Sequence, residues 1–281
     1  MSETQTPRQT PLQAKSPFEL RVRLARDVPE SQIRSALASG DMGFLHSFTT
    51  GSTVDGPGVR VVAWTSGCQF RCLYCHNPDT WNMTNGIPVP IETAVEELRK
   101  YRHGLRIMSG GFTLSGGEPL MQHRFSAKLF AAAQGLGIHT ALDTNGYFGD
   151  RLTDDELNTI DLVLLDIKSW NPDRHLRLTG MDVEPVLNFA RRLSARNKAI
   201  WLRFVLVPGL TDDPREIENI ARFAASLNVV LRVDVLPFHQ LGRFKWDTLR
   251  LDYKLRDTHP PSADQVGEAC AQFRKVGLTA Y

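Results

Sequence analysis

Between residues 59 and 236, short apolar runs alternate with stretches of helical spacing, and this alternation restricts the fold more than any other feature. Arg60-Val-Val-Ala-Trp-Thr65 is a β-rich run. Ile91, Val95 and Leu98 repeat at helical spacing, and Gly104 sits where a glycine closes a helix. Phe112–Leu114 is the next strand, Phe125–Leu136 a helix and His139–Leu142 a strand. The runs Leu162–Asp166 and Ile200–Val207 are almost wholly apolar, as strands buried on both faces are. Asp213, Pro214 and Glu216 form a helix-start signature, with Ile217, Ile220, Ala224 and Leu227 on one face. Val229–Leu236 is a further strand, and Ser262 with Gln265 opens a last amphipathic helix. Such a series means parallel strands joined by crossover helices. About six units fit, fewer than the eight of a closed barrel. A partial, open barrel and an open doubly wound sheet both satisfy the pattern.

The rest of the chain divides around this series. Residues 1–17 are rich in Gln, Thr, Ser and Pro and read as a disordered tail. Residues 18–45 read as an extension of unassigned role, a strand-like ELRVRL followed by a helix near Gln32–Ala38. Residues 46–281 read as one core domain, and no solenoid repeat interrupts them.

Polar residues cluster just after the apolar runs. They include Cys68, Ser115-Gly-Gly-Glu118, Asp143-Thr144, Asp166-Ile-Lys168 and Pro208. Parallel α/β folds bind ligands at the carboxyl ends of their strands, so these segments are expected to converge. Arg203 interrupts an apolar strand, and a buried arginine demands an anionic partner.

Cys68-Gln-Phe-Arg-Cys72-Leu-Tyr-Cys75 has the spacing C-x3-C-x2-C. One short loop of this kind wraps three thiolates around a compact metal centre. A four-iron cubane takes one cysteine per iron, so three ligands leave one iron open to chelate a small molecule. The competing reading is a structural zinc site, or a closed electron-transfer cluster, with Cys270 as fourth ligand. Cys270 lies at helical spacing between Val266 and Phe273, which favours a buried apolar thiol. Clustered cysteines suggest a reducing compartment, and the N-terminus lacks a signal-peptide core, so a cytoplasmic location is expected. The 33 basic and 31 acidic residues leave a formal charge of +2, which gives no electrostatic footprint for nucleic acid. No apolar run approaches the roughly 20 residues needed to span a bilayer.

The cysteine loop resembles the cluster motif of the radical S-adenosylmethionine (SAM) superfamily. Several further segments resemble the pyruvate formate-lyase activating enzymes within it. These are Thr53–Arg60, Tyr74-Cys-His-Asn77, Asp79-Thr-Trp81, Ser115–Glu118, Leu142–Gly146, Leu165–Lys168 and Leu236-Pro-Phe-His239. The resemblance covers about residues 46–281. It implies a partial, open (β/α)6 TIM-like barrel of parallel strands with outer helices. Cys68, Cys72 and Cys75 are then expected to bind a [4Fe–4S] cluster whose open iron chelates SAM. One electron cleaves SAM to a 5′-deoxyadenosyl radical, which takes hydrogen from a backbone glycine of a glycyl-radical enzyme, pyruvate formate-lyase.

The resemblance also implies SAM contacts from Tyr74, His76, Asn77, Gly117 and Glu118. Asp166, Ile167, Lys168, Arg203 and His239 complete the expected set. Asp143, Thr144 and Asp166 are expected to hold a monovalent cation, because hard oxygens suit a hard cation. Asp55 and Arg60 either orient the partner's glycine loop or shape a Gly/Pro turn. Flavodoxin or ferredoxin is the expected electron donor, and the protein is expected to be a monomer working in anaerobic glucose metabolism. Two rival functions stay open: a radical SAM enzyme acting on a small molecule, and a non-catalytic Cys-metal module.

Overall fold

The computed structural model describes residues 30–281. The expected tail and the ELRVRL strand lie outside the described residues. The helix expected near Gln32–Ala38 is present as α1 (Glu30–Ser39). Next come β1 (Met42–Ser52), β2 (Arg60–Thr65), β3 (Ile87–Pro90), α2 (Ile91–Arg99) and α3 (Arg102–Ile107). β4 (Gly111–Gly116), α4 (His123–Gly135), β5 (His139–Thr144), α5 (Asp154–Asn158) and β6 (Leu162–Asp166) follow. The chain continues through α6 (Pro172–Thr179), α7 (Glu184–Ala195), β7 (Ala199–Leu206) and α8 (Pro214–Ser226). It closes with β8 (Val230–Pro237), α9 (Arg243–Thr248) and α10 (Ala263–Lys275).

One sheet of eight strands runs in the order β3-β1-β2-β4-β5-β6-β7-β8. From β2 through β4 to β8 every pairing is parallel and, the edge strand β3 aside, each strand lies beside its predecessor. A doubly wound sheet needs a point where strand order reverses. None exists among these six parallel strands, so the crossovers share one face and the sheet curls into a partial barrel. The barrel stays open between β3 and β8. The C-terminal residues lie along β8, where the Val235 N–H donates to the Tyr281 carbonyl and Tyr281 donates back to Val233.

Side-chain alternation separates the two faces. On β7, Ile200, Leu202, Phe204 and Leu206 are buried in the main core. Trp201, Arg203 and Val205 take the other face. On that inner face Trp201 packs with Ala141, Leu162 and Leu164 as an apolar plug. Two residues further along the same strands stand Asp143, Asp166 and Arg203. Period two alone thus turns an apolar floor into a charged upper layer.

Three details depart from the sequence reading. α2 ends at Arg99 with Lys100 as its cap, and Gly104 lies inside α3 rather than closing a helix. β1 and β3 form an antiparallel edge that the sequence reading left out. β3 carries Pro88 and Pro90, which an edge strand accommodates and a central strand does not. Asp213 caps α8 by accepting from the Arg215 N–H at 2.9 Å, but Glu216 does not complete a capping box. Its carboxylate crosses to Ser169, Trp170 and Asn171 and anchors the loop after β6.

Candidate active site

The segment after β2 folds back at Gly67, whose φ is +96°. The Gly67 and Cys68 N–H groups donate to the carbonyls of Thr80 and Trp81 at 2.7 and 3.1 Å. Arg71 and Leu73 donate to Thr179 and Leu178 at the end of α6 at 2.7 and 3.0 Å. α9 holds the far side: Trp246 Nε1 donates to the Cys75 carbonyl at 2.9 Å, and Lys245 reaches Asn77 at 2.8 Å. Lys245 and His46 both contact the Asp79 carboxylate and hold it below its ordinary range despite burial. The loop is therefore braced from three directions.

This bracing presents Cys68, Cys72 and Cys75 as free thiols to one cleft of about 320 Å³ at the carboxyl end of the strands. That size lies within the usual range for small-molecule sites. Burial pushes all three thiols up, Cys72 to about 12. They stay protonated at neutral pH unless a cationic centre is present to stabilise the thiolates. Cys270 takes no part: it is buried in the main core with Phe273.

The cleft brings together most of the expected residues. Tyr74, His76, Asn77, Gly117, Asp166, Lys168, Arg203 and His239 line it, as do Asp143 and Thr144. Lys168 pairs with Asp166 at 2.8 Å. Burial opposes the Lys168 charge, but the Asp166 carboxylate overcomes that and keeps it an ammonium. Arg203 finds an aspartate pair, with Asp143 at 3.0 Å and Asp55 at 3.6 Å, and donates to the Val54 carbonyl at 2.6 Å. Arg203 Nε and Tyr74 Oη are buried with no hydrogen-bond partner among the described residues. The His76 and His239 rings meet edge to face at 4.0 Å between centroids.

Glu118 and Ile167 stand outside the cleft lining. Ile167 is fully buried, and its N–H donates to the Arg203 carbonyl at 3.2 Å. Glu118 is fully buried behind the wall. Its carboxylate accepts from Leu120 N at 2.9 Å, Thr144 Oγ1 at 2.7 Å and Asn145 N at 2.8 Å. Burial outweighs those bonds and pushes its carboxyl up to about 7. The expected cation ligands are engaged elsewhere: Asp143 by Arg203 and Ser115, Asp166 by Lys168, and Thr144 by Glu118. Among the described residues no group of three or more His, Cys, Asp or Glu side chains converges to hold a metal ion. A cubane makes a looser demand, one thiolate per iron rather than several on one ion.

Arg60 answers its own alternative. It is fully buried and cannot touch a partner protein. Its guanidinium bonds Thr113 Oγ1 at 3.0 Å and the Phe112 carbonyl at 2.6 Å on β4, and the Pro57 carbonyl at 3.3 Å, and so ties the Gly/Pro turn to β4. Sequence reasoning missed Trp64 and Asn145, which also line the cleft. Trp64 was findable, since it shares the inner face with Ser115, its register partner.

The family model described as the radical SAM superfamily matches residues 62–224. The pyruvate formate-lyase-activating enzyme of Staphylococcus aureus (strain USA300) is 44% identical over 234 residues, covering 81% of this chain and 93% of that protein. The same enzyme from strain NCTC 8325 matches equally. Among solved structures, a domain of a pyruvate-formate lyase-activating enzyme from Bacteroides vulgatus superposes with a TM-score of 0.50 at 24% identity. That match covers 61% of this chain and 98% of the domain. A radical SAM methyltransferase from Sphaerobacter thermophilus superposes at 0.58 with 15% identity, covering 91% and 81% of the two chains. These structural likenesses speak to the fold.

Proposed function

The chain belongs to the radical SAM superfamily, among the pyruvate formate-lyase-activating enzymes, and on that premise we propose that Cys68, Cys72 and Cys75 hold its [4Fe–4S] cluster and that the cleft beside them takes SAM. It is an enzyme, a glycyl-radical enzyme activase with a [4Fe–4S] cluster and SAM as cofactors. When bound, these groups supply reductive cleavage of the sulfonium to a 5′-deoxyadenosyl radical that takes hydrogen from a glycine of the protein substrate.

The observation that carries the assignment is the donor set. Three free, half-buried thiols from one braced loop face a cleft that Arg203 and Lys168 also line. Thiolates suit iron–sulfur centres. The unpartnered Arg203 Nε and Tyr74 Oη are donors suited to a carboxylate, the group SAM carries on its methionyl end. Lys168, held as an ammonium by Asp166, adds positive charge to the same lining. The perpendicular rings of His76 and His239 put aromatic surface on the cleft lining against which an adenine can pack. Glu118 supports the cleft wall from behind, by fixing Thr144 and Asn145.

The specific protein substrate in this reading is pyruvate formate-lyase, with flavodoxin or ferredoxin as donor. No helix among the described residues is long and apolar enough to cross a membrane. The test is anaerobic. The cluster is reconstituted and reduced with SAM and pyruvate formate-lyase present, and the sample is examined by electron paramagnetic resonance. A glycine-centred doublet is the expected result. 5′-Deoxyadenosine formed without any glycine signal would point to a small-molecule substrate and overturn the reading.

A further inference from the structure

Asn145 follows β5 and is buried in the cleft wall, and the proposed SAM contacts do not use its amide. Its orientation is decided by its neighbours. Oδ1 accepts from the Tyr147 N–H at 3.1 Å, and a backbone N–H can only donate. Gln69 Nε2 donates to the same oxygen at 3.0 Å. The other end of the amide must then be Nδ2, and it lies 3.9 Å from Cys68 Sγ. The backbone beneath is fixed as well, because the buried Glu118 carboxylate accepts from Asn145 N at 2.8 Å and from Thr144 Oγ1 at 2.7 Å.

We infer that Asn145 is a positioning residue that donates an N–H···S hydrogen bond to the Cys68 thiolate and raises the reduction potential of the cluster. The physical reason is charge. Reduction places extra negative charge on the cluster and its sulfurs, and a donor aimed at a sulfur stabilises that charge. A hydrogen bond to a charged acceptor is roughly twice as strong as a neutral one, so the contact strengthens when the thiol becomes a thiolate. The Tyr147 N–H, which can only donate, precludes a flip of the amide. Glu118 prevents the turn from sliding away from the cysteine loop. The bond also links the cysteine loop to the β5 wall.

This inference rests on Cys68 being a cluster ligand, and its test keeps the two apart. Asn145→Asp retains Oδ1, so the Tyr147 and Gln69 bonds survive, but it removes the donor. Asn145→Ala removes the whole amide. Both variants and the wild type are reconstituted anaerobically, their iron is counted, and their midpoint potentials are measured by redox titration. The expected result is wild-type iron content with a more negative midpoint. The loaded variants then hold about tenfold less reduced cluster at a fixed potential, a shift of about 59 mV for one electron. Full iron with an unchanged or more positive midpoint overturns the inference. Loss of the cluster from both variants overturns it too, since Asn145 would then hold the loop rather than tune the sulfur. Retention of the cluster by Cys68→Ala would instead overturn the ligand assignment.

Discussion

Glu118 shows how little a residue's type says about its direction. A carboxylate after a Gly-Gly turn reads as a ligand group, yet here it faces inward and accepts three hydrogen bonds within the protein. Burial nevertheless raises its carboxyl from an ordinary 4.5 to about 7. The folded state thus holds this proton more tightly than the unfolded chain. The resulting stabilisation is fully present below pH 4.5 and is lost as pH rises through about 7. At 1.36 kcal/mol per pKa unit it amounts to about 3 kcal/mol. Glu118→Gln, which cannot ionise, is expected to flatten this part of the pH dependence, read by urea unfolding from pH 4.5 to 8. An unchanged slope would place the titrating group elsewhere. The cysteines, the Asp166–Lys168 pair and the need of Arg203 for an anionic partner were all legible from local pattern. The direction of Glu118 was not, because it depends on tertiary contacts with Thr144 and Asn145.

At the scale of elements, the site exists because strand ends approach closely. A Cβ on Gly117 would sit 2.4 Å from the Gly67 carbonyl oxygen, a backbone atom that cannot swing aside. Gly117→Ala is expected to destabilise by about 1–3 kcal/mol, read as a fall in the thermal midpoint. Gly135, the last residue of α4, meets nothing within 4 Å. Gly135→Ala is therefore expected to stabilise by about 0.4–1 kcal/mol. Equal effects at the two positions would contradict the close approach. The parallel strands were legible because burial on both faces leaves continuous apolar runs such as Leu162–Asp166. β1 and β3 were not, because prolines and polar residues at a sheet edge erase that signal. Glu216 escaped for a related reason: its bonds to the loop after β6 are long-range, whereas a capping box is local.

For the whole molecule, apolar periodicity left a partial barrel and a doubly wound sheet equally open, since both bury parallel strands under helices. The strand order distinguishes them, and a curled sheet gathers the ends of β2 and β4–β8 around one cleft. Residues from Trp64 to His239 meet there. Cys270 is excluded from that gathering by its place on α10, packed among core residues. The account therefore turns on three ligating thiols, a fourth that only packs, and an iron left free for SAM. Iron content and SAM-dependent spectra of anaerobically reconstituted Cys270→Ser measure this directly. The account predicts wild-type iron content and a wild-type change in the reduced cluster's paramagnetic signal when SAM is added. Loss of the cluster from that variant, or a signal indifferent to SAM, would contradict it.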